Sequence, residues 1–515
     1  MRSVIIITIL AVAACTESKK VLGIYSHPGK SHQIMGEVIL KKLAERGHEV
    51  TMVSAYPLKN PIPNYKDIVL DGFLEDLHSD DNIYLEMEKN ALLNFLGAFD
   101  LIHHFMDKTF GHPAMQKLIQ SGEKFDLIII DWFCKEAELF YANIFEAPVI
   151  FTSSFGAQYD MNYVVNNAEP YSYLPVSGFP FTDEMDFSDR FGNTLAIVLV
   201  KILMLYNKIH NQRILNKHFK NAPSIDELMG NVDLVLSNAH PIFETPRPYV
   251  PNIICIGGVH IQETKPLPQD LKDFLDKSHN GVVYFSLGSH MKTSALPKDV
   301  FNSILRAFSR IPQNVLLKWE EDEVPVLPDN VMVKKWMPQD SVLAHPNVRV
   351  FITHGGLMGK IEAIYHATPM IGIPFFGDQI TNVIHSVQEG IGIILLLSEV
   401  TEDTLFDAVY EIINNSSYSE NVMKKSALLK DQPMKPIDVA VYWSEFVMRH
   451  NGSKHLQNKG MRLNVFQTLL LDVILVITVA VVAITLIIWK LFLLLVRLLT
   501  KKGTSRIVKS KSKEN

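Results

Sequence analysis

The chain has 515 residues, too many for one hydrophobic core, because single domains usually hold about 100–200 residues. Its formal net charge of −6, with 20% charged residues, leaves no basic surplus and argues against a nucleic-acid partner. The three cysteines show no CxxC spacing, so neither a zinc site nor a disulfide framework is indicated.

The first residues have the features of a secretory signal. Residues 1–17 combine the basic Arg2 with an apolar run and the small residues Ala11, Ala13 and Ala14, which suit a signal peptidase. We therefore expect this segment to be removed.

From Val21 onward, short apolar runs alternate with helical stretches, which indicates parallel sheets with right-handed crossovers and an α/β architecture. We predict two such domains, residues 18–257 and 281–450, joined by a polar, proline-bearing linker at 258–280. Ligands bind at the carboxyl ends of parallel strands, so a cleft facing both domains is the expected site.

The loop after the first strand resembles a phosphate-binding loop, but the resemblance fails. In "GIYSHPGKS" five residues separate the glycines instead of four, and Gly23 lies inside the predicted strand. The chain also has no GxGxxG after that strand and no Asp-x-Asp that could hold a metal on a nucleotide. Protein dipoles must therefore bind any phosphate.

An insertion at residues 181–220 interrupts the alternation of strands and helices. Its apolar residues recur at helical spacing among basic ones, which is typical of a buried helix pair. A lid over an acceptor site, or a surface that lies against a membrane, is the alternative.

Further along, "FITHGGLMGKIEA" joins a strand at 349–353 to a helix through His354 and two glycines, Gly355 and Gly356. Unpaired backbone N–H groups and the positive dipole at a helix start suit an anion. Eight residues on, Glu362 is within reach of ribose hydroxyls. A capping turn with a surface glutamate is the simpler alternative.

Two neighbouring segments add polar and aromatic groups after strands. Trp336 offers a face for stacking a planar base, and Gln339 an amide for its polar edge or the sugar, although a core tryptophan is the commoner case. Asp378 and Gln379 open another helix and could hold sugar hydroxyls, whereas N-capping by Asp378 is equally simple.

The C-terminal end predicts a membrane anchor. A juxtamembrane segment, 451–472, precedes an apolar run at 473–496 that is long enough to cross a hydrocarbon core of about 30 Å. The basic tail, 497–515, should lie in the cytosol, which leaves the domains lumenal. The terminal "KSKEN" resembles a dilysine retrieval signal of the endoplasmic reticulum. Possible glycosylation sequons in the lumenal part begin at Asn414, Asn415 and Asn451.

The stretch from Trp336 to Gln379 closely resembles the signature of the family-one UDP-glycosyltransferases, and the likeness extends over nearly the whole chain. "HPGKSH" and "PLKNP" look most like insect members. The resemblance implies a GT-B fold, two Rossmann-like domains facing a cleft. It also implies transfer of a hexose, with glucose favoured, from a UDP-sugar to a hydroxyl of a small lipophilic acceptor. The reaction would invert the anomeric carbon, serve detoxification or metabolism, and need neither metal nor cofactor.

The resemblance also implies roles for individual residues. By position, Trp336 would stack on uracil, Gln339 and Glu362 would hold ribose, Ser289, His354 and Gly356 would bind the diphosphate, and Asp378 and Gln379 would take the sugar. Met358 stands where many relatives have asparagine, which puts one polar contact to the nucleotide in doubt, and Lys360 adds a charge beside the phosphate turn.

An acceptor hydroxyl attacks an anomeric carbon well only as it loses its proton, so a base is needed. His32, placed in the loop after the first strand, matches the catalytic histidine of the family, and His27 competes with it from the same loop. Asp131, at the end of "FDLIII", matches the carboxylate that orients this histidine.

Two other functions remain open from the sequence. One is a catalytically silent, membrane-anchored protein that binds apolar ligands, although His32, Asp131, Glu362 and Gln379 are all present. The other is a nucleotide-sugar epimerase, which a signal and a membrane span disfavour. The sequence leaves the acceptor and the oligomeric state open.

Overall fold

In the computed structural model of the protein, the described residues are 18–77, 91–156, 158–289 and 291–511, so the predicted signal segment lies outside them. The chain forms two compact units, Met1–Gln457 and Asn458–Asn515. The first unit contains two separate parallel sheets, which confirms the predicted α/β architecture.

The first sheet has seven parallel strands in the order β3-β2-β1-β4-β5-β6-β7. Its strands are β1 (Lys20–Tyr25), β2 (Glu49–Ser54), β3 (Tyr65–Val69), β4 (Leu127–Asp131), β5 (Val149–Ser153), β6 (Val232–Ser237) and β7 (Ile253–Cys255). The central strands are buried along their whole length because helices cover both faces, so they appear in the sequence as continuous apolar runs.

The second sheet has six parallel strands in the order β10-β9-β8-β11-β12-β13. Its strands are β8 (Val282–Ser286), β9 (Asn314–Lys318), β10 (Val331–Lys334), β11 (Val348–Thr353), β12 (Met370–Gly372) and β13 (Gly392–Ile394). In both sheets the first strand in sequence lies inside the sheet, with neighbours reached by crossovers in opposite directions. Such switch points open a crevice at the carboxyl edge.

Helices connect the strands and cover the sheets. Around the first sheet these are α1 (Lys30–Glu45), α2 (Phe73–Leu77), α3 (Ala91–Gly111), α4 (Pro113–Gln120), α5 (Phe140–Phe145), α6 (Tyr159–Val165), α7 (Phe187–His218) and α8 (Ile225–Met229). The later helices of this unit are α9 (Gln269–Lys277), α10 (Lys298–Arg310), α11 (Gln339–Leu343), α12 (Leu357–Tyr365), α13 (Gln379–Gln388), α14 (Glu402–Asn414), α15 (Ser416–Lys430) and α16 (Pro436–His450).

Packing differs from the predicted domain boundaries in two places. Helix α9 lies within the predicted linker, yet it buries Leu271 and Leu275 in the core of the second sheet. Helix α16 belongs to the predicted second domain but buries Ala440 in the core of the first sheet. Glu445 on α16 also accepts a hydrogen bond from Arg46 at 2.6 Å. Each helix packs its apolar face against a sheet, but the sequence of an apolar face does not show which sheet it will cover.

The C-terminal unit contains α17 (Val465–Thr468) and α18 (Leu471–Lys511). Within the described residues two helices are long and apolar enough to cross a membrane, α7 and the part of α18 from Leu471 to Thr500. Helix α7 has only a moderately apolar stretch, part of which is buried in its domain, whereas the α18 segment is far more apolar and has none of its apolar stretch buried. Helix α18 is therefore the candidate membrane span.

Candidate active site

The carboxyl ends of β1 and β4 bring two of the predicted catalytic residues together. These strands are neighbours, so the segment after β1 faces Asp131 at the end of β4. His32 Nδ1 lies 2.9 Å from Asp131 Oδ1, and both side chains are buried. Because the carboxylate accepts from Nδ1–H, Nε2 is the nitrogen that can take a proton from a substrate.

Helix α1 begins earlier than the sequence indicated. The prediction placed His32 in a loop before the helix, but α1 starts at Lys30, so His32 lies in its first turn. The reason is local: Pro28 cannot lie inside a helix, and Gly29 adopts the extended conformation of a helix N-cap. His27 packs edge-on against His32, with ring centroids 5.0 Å apart.

A cavity of about 600 Å³ extends from these histidines to the second domain. On the first-domain side its walls are largely apolar. The lining residues there include Phe99, Ile102, Phe133, Phe155, Leu174, Val176, Ile197, Val200, Leu203 and Met204. The rings of Phe133 and Phe155 lie 4.9 and 5.1 Å from the His32 ring. The wall of the cavity around the imidazole is therefore aromatic and apolar.

The insertion is one 32-residue helix, α7, and not the helix pair that was the simpler prediction. Four of its apolar side chains line the cavity, so one face of α7 forms part of the site. The opposite face exposes large apolar side chains at helical spacing, namely Phe187, Phe191, Leu195, Val198, Ile202, Leu205 and Ile209. The sequence showed the period of this helix, but it did not show which face would be covered.

In the second domain, the predicted turn follows β11 directly. Gly355 has a φ of +82°, and Gly356 is the N-cap of α12. A Cβ on Gly288, in the adjacent turn after β8, would lie 2.5 Å from Cε1 of His354, so a glycine is needed there. Burial lowers the pKa of His354 to about 4, so its ring is neutral at pH 7 and can donate a hydrogen bond.

A cation that was not predicted from the sequence lies beside this turn. Lys318 ends β9, lines the cavity and donates a hydrogen bond to the carbonyl of Gly288. Its charge also helps to lower the pKa of His354. The sequence feature that could have predicted this cation is a lysine directly after "NVLL", at the carboxyl end of a strand. Lys318 Nζ also lies 3.4 Å from Glu320 Oε1. Together with Ser289, which also lines the cavity, Lys318 gives this corner groups that can bind an anion.

The predicted base and ribose contacts surround the start of α11. Trp336 lines the cavity and is 64% exposed, so it is not a core tryptophan. Gln339 Nε2 donates to Glu362 Oε2 at 2.5 Å, and Tyr284 donates to Gln339 Oε1 at 3.1 Å. Burial raises the pKa of Glu362 to about 7. Glu362 is therefore not the surface glutamate of the simpler alternative.

The two residues predicted for the sugar differ in their environment. Asp378 lines the cavity, makes no capping bond to α13, and accepts a hydrogen bond from Asn382 Nδ2 at 2.7 Å. Burial raises the pKa of Asp378, while the hydrogen bond from Asn382 opposes the rise. Gln379 instead accepts from the backbone N–H of Phe375 and Phe376 and is not among the cavity-lining residues. Its role as a sugar ligand stays a prediction.

The two departures from the family pattern also have a place in the structure. Met358 lines the cavity, and its carbonyl lies 3.3 Å from Nε2 of His260. Lys360 is buried and donates to the carbonyls of Phe243 and Asn382 at 3.2 and 3.1 Å. Burial lowers the pKa of Lys360 to about 7. The lysine thus ties a loop of the first domain to α13.

The chain is similar to known proteins over most of its length. The chain matches the family model described as UDP-glucoronosyl and UDP-glucosyl transferase over residues 72–506. The chain belongs to this family. It is 35% identical over 495 residues to UDP-glycosyltransferase UGT5 of Dactylopius coccus, a match that covers 94% of this chain and 93% of the relative. To UDP-glucuronosyltransferase 2B15 of Homo sapiens it is 34% identical over 501 residues, covering 92% and 93%.

Solved structures show the fold of this glycosyltransferase. A structure of TcCGT1 in complex with UDP superposes with a TM-score of 0.57 at 16% identity, covering 84% of this chain and all of the other. The glycosyltransferase VinC, solved with DTDP, gives 0.53 at 16% identity over 84% and 100% of the two chains. Similarity at this level of identity establishes the GT-B architecture alone.

In the described part of the chain, no group of three or more His, Cys, Asp or Glu side chains is arranged to hold a metal ion. Asn414, Asn415 and Asn451 are all exposed. Asn415 caps α15, whereas Ser453, the hydroxyl residue of the third sequon, is buried and donates to the carbonyl of Asp233.

Proposed function

We propose that this UDP-glycosyltransferase moves a hexose, in the first instance glucose, from a UDP-sugar to a hydroxyl of a small lipophilic acceptor. The observation that carries the proposal is the buried His32–Asp131 pair in the wall of an apolar cavity that continues to the His354 turn. The base and the anion-binding corner thus belong to one cavity, as a direct transfer between two substrates requires.

On the donor side, Trp336 would stack on uracil and the Gln339–Glu362 pair would hold the ribose. His354, Gly356 and Ser289 would bind the diphosphate, with Lys318 and the start of α12 adding positive potential. Asp378 and Gln379 would bind the sugar hydroxyls. This assignment is supported by the cavity position of each of these residues except Gln379.

In the reaction, the acceptor oxygen attacks the anomeric carbon from the side opposite to UDP. The acceptor proton passes to Nε2 of His32, the new C–O bond forms, and the bond to the diphosphate oxygen breaks with its electron pair leaving on UDP. One displacement inverts the anomeric configuration. Asp131 stabilises the imidazolium, while the α12 N-terminus and Lys318 stabilise the departing diphosphate.

We further propose that the enzyme needs no metal, because protein dipoles and Lys318 supply the positive potential that a divalent ion would otherwise give. We place it in the endoplasmic reticulum membrane as a single-pass protein with lumenal catalytic domains, serving detoxification or metabolism. The candidate span α18 supports this location.

Microsomes carrying the full-length protein test the proposal. UDP-glucose and UDP-glucuronate, each offered with a panel of phenols and alcohols, should give acceptor-dependent UDP release, with UDP-glucose preferred and EDTA without effect. Binding of acceptors without UDP release from either donor would favour the alternative, a catalytically silent binding protein. Preference for UDP-glucuronate would overturn only the choice of sugar.

A further inference from the structure

A buried group of charged side chains lies directly behind the predicted catalytic pair. Lys135 follows β4 and is 1% exposed, and its Nζ lies 3.4 Å from Asp131 Oδ2. The same ammonium lies 3.4 Å from Glu138 Oε2 and donates to Ser26 Oγ at 2.8 Å. Ser26 in turn donates to Glu138 Oε1 at 2.5 Å. One lysine thus connects two carboxylates, and one of these binds His32.

The charges of this group are unusual for a protein interior. Ionised side chains are buried at high cost unless they are paired, so each of these three ions depends on the others. Burial raises the pKa of Glu138, and the charge of Lys135 opposes that rise. With both carboxylates and the ammonium ionised, the group carries one net negative charge. That charge is neutralised when His32 accepts a proton.

Resting on the function proposed above, we infer that Lys135 and Glu138 are positioning residues that set the charge facing His32 and so the pH range in which it acts as the base. Lys135 reduces the negative potential of Asp131 at the imidazole. Glu138 partly cancels the positive charge of Lys135, so that the potential at the imidazole stays negative enough to stabilise the imidazolium. The catalytic pair would then work as part of a balanced group of four side chains.

Other titratable groups lie close to this charged group. These neighbours are Tyr25, whose pKa the charge of Asp131 helps to raise, Tyr141 beside Glu138, the buried Glu136, which accepts from Asn207, His27 against the His32 ring, and Asp378 from the second domain. Burial raises the pKa of both tyrosines well above their usual range, so they remain neutral. The carboxylate of Asp378 is the charge that reaches His32 from across the cleft.

Opposite charge changes at the two positions test the inference. In full-length protein in microsomes, Lys135→Met should move the acid limb of the kcat/KM profile for the acceptor upward by about one pH unit, because it removes a positive charge a few ångströms behind Asp131. Glu138→Gln should move it downward by a similar amount. The double variant should return close to the wild-type profile. As a control, Lys124→Met breaks an exposed ion pair with Glu146 elsewhere in the domain and should leave the profile unchanged.

The experiment distinguishes structural damage in the variants from a failure of the proposed function. If the acid limbs of the two single variants shift in the same direction, or if the double variant is less active than either single variant, the group is only structural. If Lys135→Met does not fold, Lys135→Arg should keep the wild-type limb, and Glu138→Gln alone must still shift it. Should the wild type transfer no sugar at all, the proposed function fails, and the pH dependence of diethyl pyrocarbonate modification at His32 becomes the readout. Identical modification profiles in all variants would then overturn the inference.

Discussion

The side-chain amide of Gln339 donates a hydrogen bond of 2.5 Å to Glu362, although the two residues lie on different helices, α11 and α12. The pair is thus assembled by the fold itself. Burial raises the pKa of Glu362 to about 7, so its carboxyl changes charge in the range in which an enzyme works. A donor that uses this carboxylate should therefore bind in a pH-dependent way.

Glu362→Ala should raise the donor KM by about 10- to 100-fold, the effect of losing a charge-assisted hydrogen bond worth roughly 1.5–3 kcal/mol, and leave acceptor preference unchanged. In the wild type, the donor KM should fall as pH rises from 6 to 8, because the ionised carboxylate is the better acceptor. Glu362→Gln cannot ionise and should lack this change. Steady-state kinetics with varied UDP-sugar measure both effects. An altered acceptor preference with normal donor KM would contradict the assignment.

His32→Ala should lower kcat by roughly 10²- to 10⁴-fold while UDP binding stays nearly intact, because the base acts in the chemical step. Asp131→Asn should act in the same direction, and the double variant should be scarcely worse than His32→Ala, since residues acting as a unit are not additive. A phenol that is largely ionised at raised pH should recover part of the rate. His27→Ala is the matched control. The assignment is wrong if His27→Ala loses most of its kcat and His32→Ala does not.

Asn382→Ala should weaken use of the sugar but not of the nucleotide. It removes the hydrogen bonds to Asp378 at 2.7 Å and to the carbonyl of Gly355 at 3.1 Å. Loss of a hydrogen bond to a carboxylate is worth about 1.5–3 kcal/mol, so kcat/KM for the UDP-sugar should fall at least tenfold. The inhibition constant of UDP, which lacks the sugar, should change little. Equal losses for UDP and the UDP-sugar would instead point to a general collapse of the turn.

Substitutions at two glycines can separate the effect of a steric clash with His354 from the effect of backbone strain alone. Gly288 and Gly122 have φ of +84° and +69°, but only at Gly288 would a Cβ meet another residue, the ring of His354. Gly122→Ala should cost about 1–2 kcal/mol, the strain of a left-handed alanine, and leave donor affinity unchanged. Gly288→Ala should lower Tm further and weaken donor binding. Thermal unfolding and UDP titration report the two effects; equal behaviour of both variants would argue against a tight glycine–imidazole contact.

The proposed membrane orientation predicts the result of a protease-protection experiment. With α18 spanning the bilayer and its basic end in the cytosol, protease added to intact microsomes should remove an epitope fused after Asn515. An epitope inserted near Asn280 should be spared until detergent is added. Protection of the C-terminal epitope in intact vesicles would reverse the orientation.

Local sequence patterns predicted much of the fold because they report burial directly. Continuous apolar runs such as "LIIID" and "VVYFS" are buried strands, and their alternation with helical stretches required parallel sheets. The turn at His354 followed from a strand, two glycines and a helix in immediate succession. The helix start at Lys30 was missed because the proline-glycine pair was interpreted as part of a longer loop.

What the sequence by itself determined was therefore the family, the α/β class, the candidate span and the residue types of the site. The tertiary structure alone decided which side chains meet. Arg46 and Glu445 are 399 residues apart in the sequence, yet they form a hydrogen bond where α16 packs on the first sheet. The local sequence pattern of α16 does not predict this contact. Likewise, Lys135 and Lys318 appear in the sequence as ordinary lysines beside apolar runs. They lie beside the candidate site because parallel strands bring their carboxyl ends, distant in sequence, to one edge of the sheet, where each buried charge is paired.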